Sequence, residues 1–159
     1  MIKLIPFERY RDDRGHLSSV YKKNDILFVE DRLSYSKKGV LRGLHGDMYT
    51  GKLFIPINGV FQFYAKSLFT DDKIFCSSFS EEFETAIYVP PGYINGHLCL
   101  TDNCIMLYKW TYPYTGPENQ FTVRYDDKDL NINWDYSIIF NISDRDKNGI
   151  TFKELKEKI

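Results

Sequence analysis

Short apolar runs recur along the chain at strand length, separated by turn residues. Ile26–Val29, Lys52–Ile57, Val60–Lys66, Lys73–Phe79, Ala86–Val89, His97–Leu100 and Cys104–Tyr108 each read as a strand. The breaks fall at Lys38-Gly39, Asn58-Gly59, Thr70-Asp71-Asp72, Pro90-Pro91-Gly92 and Thr101-Asp102-Asn103. Asn58-Gly59 lies between Leu53–Ile57 and Val60–Phe63 and predicts a β-hairpin, because Asn and Gly accept the positive φ angles of a type I′ turn. Many short strands with tight turns predict an all-β sandwich or barrel. Two stretches carry a helical signal. Asp12–Asn24 is ambiguous. Thr151–Ile159 sets Phe152, Leu155 and Ile159 on one face, and Thr151 with Glu154 has the spacing of a capping box.

No internal repeat or low-complexity linker interrupts the 159 residues, so one domain over 1–159 is expected. That length can bury a core without disulfides or metals. Twelve Tyr and twelve Phe raise the aromatic content to 16%, which favours strands over helices. A net charge of −1 gives no electrostatic reason to expect nucleic acid or an anionic membrane as partner. The apolar runs are too short for a membrane-spanning helix. Met1–Tyr10 carries Pro6, Glu8 and Arg9 where a signal peptide needs an apolar stretch, so a cytoplasmic location is expected. The three cysteines, Cys76, Cys99 and Cys104, are an odd number without a C-x-x-C pair. They read as reduced thiols, with Cys99 and Cys104 as small buried hydrophobes.

Three histidines are present: His16, His45 and His97. With no His-x-His pair, neither a metal site nor a cofactor is expected. His45 lies in Gly39–Asp47, which reads as a strand with Val40, Arg42 and Leu44 on one face and Leu41 and His45 on the other. One reading is a half-buried strand with a satisfied histidine. The other is an imidazole facing a cavity with a cation nearby, suited to general-base work near neutral pH. Asp144 to Gly149, followed by Glu154, imitates a calcium-binding loop. The register fails, since the bidentate Glu belongs at the twelfth position and Glu154 is eleventh.

A series of motifs, in order, then resembles the dTDP-4-dehydrorhamnose 3,5-epimerase family. Val40-Leu41-Arg42-Gly43-Leu44-His45 is similar to its hallmark. Asp13-Arg14-Gly15, Phe28-Val29-Glu30-Asp31 through Ser34 and Ser36, and Gly51-Lys52-Leu53 resemble its earlier segments. Val89-Pro90-Pro91-Gly92, Tyr108-Lys109 through Tyr114, Ile132-Asn133-Trp134 and Ser143-Asp144-Arg145-Asp146 resemble its later ones. The resemblance implies a cupin-type jelly-roll β-barrel with a few short helices, and a homodimer that exchanges an N-terminal strand. It implies a metal-free epimerase inverting C3, or C3 and C5, of a nucleotide-linked 4-keto-6-deoxy sugar for bacterial surface polysaccharide. His45 would be the base, Asp146 its orienting carboxylate and Tyr114 the acid, with Tyr112 as competitor. Arg42 and Lys52 would stabilise the enolate or hold phosphate, and Arg14 would bind substrate. A base and an acid on opposite ring faces, with fixed positive charge at the oxyanion, are what inversion beside a ketone requires.

The chain departs from the family pattern around the substrate. Glu30 and Arg32 stand where the family has Gln and Asn, so a guanine edge becomes a candidate for the carboxylate. Gly46-Asp47 replaces an aromatic-Gln pair, and the family's second histidine falls at Asn95, with His97 two residues on. Tyr64 and Lys66 replace an Asp and an Arg. Together these resemble the branch acting on GDP-4-keto-6-deoxy-heptoses. A 3,4-ketoisomerase and a catalytically silent sugar-nucleotide binding module are the alternatives. The retained motif and Tyr114 favour epimerisation over the first. The joint presence of His45, Asp146, Tyr114 and Lys52 argues against the second.

Overall fold

The computed structural model describes residues 1–22 and 25–159. The strands are β1 (Lys3–Pro6), β2 (Glu8–Asp12), β3 (Gly15–Ser19), β4 (Glu30–Ser36), β5 (Val40–Asp47), β6 (Lys52–Asn58) and β7 (Val60–Ser67). They continue with β8 (Lys73–Ser80), β9 (Thr85–Val89), β10 (Tyr93–Cys99), β11 (Cys104–Trp110), β12 (Phe121–Thr122) and β13 (Asn141–Ile142). Two short helices follow, α1 (Asp144–Lys147) and α2 (Phe152–Lys158). One antiparallel sheet runs β1-β9-β6-β11-β4. The other runs β12-β5-β10-β7-β8, with β13 parallel beside β5, and β2 and β3 form a separate hairpin. This is the cupin-type jelly roll that the sequence resemblance implies.

The strand alternation explains how the sheets pack. From β6, Phe54 points inward with Phe61 and Phe63 of β7, Ile87 of β9 and Met106 of β11, and these form the core between the sheets. Leu53 and Ile55 point outward under Phe7 and Phe28. On the second sheet, Leu41, Ile94 and Leu98 point outward and are covered by Trp134, Phe152 and Leu155 of the C-terminal segment. Each such aliphatic side chain stabilises the fold by about 1.5–3 kcal/mol. Both outer faces are therefore partly covered, and β10, central in its sheet, is buried along its whole length. Cys99 and Cys104 are fully buried in the inter-sheet core, as expected of small hydrophobes. Among the described residues no helix is long and apolar enough to cross a membrane.

Helix α2 carries the predicted capping box. Glu154 N–H donates to Thr151 Oγ1 at 3.1 Å, and Thr151 N–H donates to Glu154 Oε2 at 2.7 Å. Phe152 and Leu155 are buried as expected, whereas Ile159 ends the helix half exposed. Glu154 thus serves the cap, and Asp144–Lys147 winds into a helical turn with Asp146 facing inward.

Four sequence expectations are corrected. Asn58-Gly59 does not close a hairpin: β6 and β7 lie in different sheets. Only Gly59 takes positive φ (87°), and a Cβ there would come within 2.7 Å of Cys104 Sγ, so the glycine turns a tight corner between sheets. Within Asp12–Asn24, Gly15–Ser19 is a strand paired with β2; Lys23 and Asn24 lie outside the described residues. The ladder expected over Ile26–Val29 instead begins at Glu30, because Phe28 leaves the strand path to cover the outer face. Likewise the strand read as His97–Leu100 starts earlier, at Tyr93. Asn95 and His97 hid it, being polar residues on an inward face that lines a cavity.

Candidate active site

The two sheets enclose an open cavity of about 560 Å³. The β5 wall supplies Arg42 and His45, and β10 supplies Asn95 and His97. The opposite sheet supplies Arg32 from β4, Lys52 from β6 and Trp110 from β11, with Tyr114 just beyond it. Simple alternation would put Arg42 and His45 on opposite faces. The pairing of β5 with β10 joins Asn95 to His45 and His97 to Arg42, so three residue steps on β5 span two on β10. This bulge turns both side chains into the cavity. Gly43 makes the bulge sterically feasible. Its φ is 116°, and a Cβ would meet Asn95 O at 2.6 Å and Gly96 Cα at 2.7 Å.

His45 Nε2 and Asp146 Oδ1 are 2.6 Å apart. The second carboxylate oxygen of Asp146 accepts the Gly43 N–H at 3.2 Å, and the Asp146 N–H donates to Ser143 Oγ at the start of α1. Asp146 is buried. Burial pushes its pKa up, but the His45 bond, then the Gly43 and Ser143 contacts, outweigh that and hold it below the ordinary carboxylate value. With Asp146 ionised and engaging Nε2, Nδ1 is the ring nitrogen left for a ligand. Burial lowers the His45 pKa more than the Asp146 bond raises it, and Arg145 and Lys52 lower it further. The imidazole is thus neutral near pH 7 and able to accept a proton.

Lys52 is buried, with its ammonium 4.8 Å from the Trp110 ring centroid. Burial pushes its pKa down to about 8; Asp47 pulls it up, and Arg145 and Arg32 push it down. Tyr114 packs edge-on against Trp110 at 5.5 Å, and the Arg32 guanidinium lies 4.2 Å from the Tyr114 ring centroid. Tyr112 is half exposed, beside Tyr49, and lines a neighbouring pocket instead.

Eight of the ten site residues expected from the sequence therefore share this cavity. Two are placed elsewhere. Glu30 accepts the Tyr114 N–H at 2.7 Å, so its carboxylate fixes the tyrosine segment. Arg14 sits on the exposed tip of the β2–β3 hairpin, paired with Asp12, away from its own chain's cavity. Residue-by-residue reading missed Arg145 and Trp110. Arg145 lines the cavity, donates to Thr122 Oγ1 at 2.9 Å and keeps its buried Nη2 without a partner among the described residues. Its position beside Asp146 in the Ser-x-Lys-Asp-like segment was the available signal. Trp110 ends the apolar run of β11 and gave none.

Comparison with known proteins finds relatives along nearly the whole chain. The family model described as dTDP-4-dehydrorhamnose 3,5-epimerase matches residues 2–154. The dTDP-4-dehydrorhamnose 3,5-epimerase of Methanothermobacter thermautotrophicus is 32% identical, over 97% of this chain and 89% of the relative. That of Shigella flexneri is 33% identical, over 90% and 86%. Among solved structures, the dTDP-6-deoxy-D-glucose-3,5-epimerase of Legionella pneumophila, in complex with dTDP-4-keto-L-rhamnose, superposes with a TM-score of 0.90 at 26% identity, covering 99% of this chain and 90% of that one. With a family match along nearly its whole length, this chain belongs to the dTDP-4-dehydrorhamnose 3,5-epimerase family of isomerases.

Proposed function

We propose that the protein inverts C3, or C3 and C5, of a nucleotide-linked 4-keto-6-deoxy sugar by proton transfer through an enolate. The carrying observation is that the His45–Asp146 pair and Tyr114 stand on opposite walls of one cavity. His45 removes the proton beside the ketone, and Asp146 orients the ring and stabilises the imidazolium. The enolate oxygen takes the positive charge of Lys52, while Arg42 and Arg145 grip the substrate's anionic part. Tyr114 delivers a proton to the other face, completing the inversion. Tyr114 is favoured over Tyr112 because only Tyr114 lines the main cavity.

We read the nucleotide as thymidine diphosphate, on the names of the relatives. The guanine reading relied on Glu30, whose carboxylate is engaged by Tyr114 N–H. We also propose a homodimer. Leu33 and Tyr35 on the outer face of β4 are 54% and 69% exposed, a surface that a partner's N-terminal segment would cover. The same exchange would carry Arg14 to the partner's cavity. The free thiols, of which Cys99 and Cys104 are buried, fit a reducing cytoplasm, and the product fits a precursor role in surface polysaccharide.

The test is incubation in D2O with dTDP-4-dehydro-6-deoxyglucose, following C3 and C5 by NMR. Deuterium at one or both carbons with new stereochemistry supports the reading. Migration of the ketone would indicate a ketoisomerase, and binding without exchange a silent module.

The charge states also set a pH profile. His45 must be neutral, and its lowered pKa places the acid limb of kcat/KM below the ordinary histidine value of 6.5. Lys52 must be charged, so activity falls as pH rises through about 8. Lys52→Arg is expected to move the alkaline limb upward, because guanidinium keeps its charge. An alkaline limb unmoved in that variant would assign it to another group. The stability sign differs. Lowered folded pKa values mean the unfolded chain binds more protons, so these two groups make the fold more stable as pH rises through each window.

A further inference from the structure

His97 is the buried titratable group the mechanism leaves unused. It is 2% exposed, and its Nε2 has no hydrogen-bond partner among the described residues. The ring is held firmly: edge-on to Phe61 at 5.5 Å and tilted to Tyr108 at 6.2 Å between centroids. It sits on β10 between Arg42 of β5 and Phe63 of β7, and it lines the cavity two residues beyond Asn95, which pairs with His45. Its polar neighbours are already engaged. Arg42 Nε donates to Ser36 Oγ at 3.2 Å, and the Tyr108 and Ser34 hydroxyls are 2.9 Å apart. A buried nitrogen left unpaired is costly, so an orphan fixed in a cavity wall marks a place where a ligand atom completes the bonding.

Burial, then the charges of Arg42 and His45, push the His97 pKa down to about 3. The imidazole is therefore neutral at any working pH and offers one donor and one acceptor. A phosphate oxygen is better served by the cations Arg42, Lys52 and Arg145. A neutral imidazole suits a neutral oxygen that can both donate and accept.

We propose that His97 is a specificity-determining residue that hydrogen-bonds a hydroxyl of the sugar, gripping the hexose rather than the nucleotide. This rests on the sugar-nucleotide reading above. It makes the contact a ground-state one: His97 selects a hydroxylated sugar and takes no part in proton transfer.

His97→Phe removes the nitrogens and keeps a planar ring of similar size. Calorimetry with dTDP-glucose and with dTDP separates sugar from nucleotide. The variant is expected to lose about tenfold in dTDP-glucose affinity, the effect of one neutral hydrogen bond, and to bind dTDP as the wild type does. With dTDP-4-dehydro-6-deoxyglucose, KM is expected to rise by a similar factor while kcat stays within about threefold. The unliganded variant is expected to melt higher, by about 2–4 °C, because an unpaired buried nitrogen has been replaced by apolar contact with Phe61. Equal weakening of both ligands would place the contact on the nucleotide and overturn the proposal. So would unchanged affinities with a lowered melting temperature, which would show a structural ring bonded to ordered water. A kcat loss with intact KM would overturn it in favour of a transition-state role. If the wild type discriminates dTDP-glucose from dTDP through His97 but does not turn over the keto sugar, the epimerase reading alone fails.

Discussion

His45→Asn is expected to remove at least about 10³-fold from kcat while leaving the protein folded, since a positioned general base contributes 10²–10⁴-fold. The site leaves little to replace it. Among the described residues the other cavity histidine, His97, is held neutral far below the working range and is buried on β10. Lys52 must remain charged for the enolate and cannot also accept the proton. Asp146 faces His45 and the Gly43 N–H from a buried position. Asn can still donate to Asp146, so the carboxylate keeps a partner and the substitution isolates basicity from packing. Circular dichroism and melting temperature near wild type, with dTDP affinity retained, would show the loss to be chemical. Turnover within tenfold of wild type would remove His45 from the role of base.

Gly43→Ala is expected to damage both stability and activity strongly. The residue has a φ of 116°, and an added Cβ would lie 2.6–2.7 Å from the backbone of Asn95 and Gly96. Backbone does not yield as a side chain does, so β5 and β10 must part. A strained φ alone costs about 1–3 kcal/mol, and the clash adds to it. A loss of about 3 kcal/mol lowers the melting temperature by about 6–12 °C in a chain of this size. Activity is expected to fall beyond what folding explains. The bulge is what turns Arg42 and His45 to the same side, and Gly43 N–H is a partner of Asp146. Comparing kcat at a temperature where the variant is fully folded separates these effects. A variant as stable and active as wild type would mean that the strand register tolerates the side chain.

The bulge also shows where sequence reading stops. Period-2 alternation placed Arg42 and His45 on opposite faces, and no local signal in Leu41-Arg42-Gly43-Leu44 counts the extra residue. The same limit hid β4. Its inward residues Arg32 and Ser34 line a cavity and its outward residues Leu33 and Tyr35 are exposed, so no apolar run marks it. Asn58-Gly59 carries turn chemistry, but whether a turn closes a hairpin or passes between sheets depends on long-range pairing. Where local physics decides, the reading held. Thr151 and Glu154 form their capping box, and Lys52–Asn58, Val60–Ser67 and Lys73–Ser80 are strands. The pairing of Asp146 with His45, 101 positions apart, was legible only through the ordered motif series.

The central claim is that base and acid act from opposite walls, and Tyr114→Phe in D2O tests it most directly. With His45 and Asp146 intact, the variant is expected to wash deuterium into the position beside the ketone by removing and returning a proton on one face. Stereochemistry at that carbon should be retained, with inversion reduced by about 10²-fold or more. Inversion at the wild-type rate would contradict the two-wall mechanism, and so would loss of exchange together with loss of inversion.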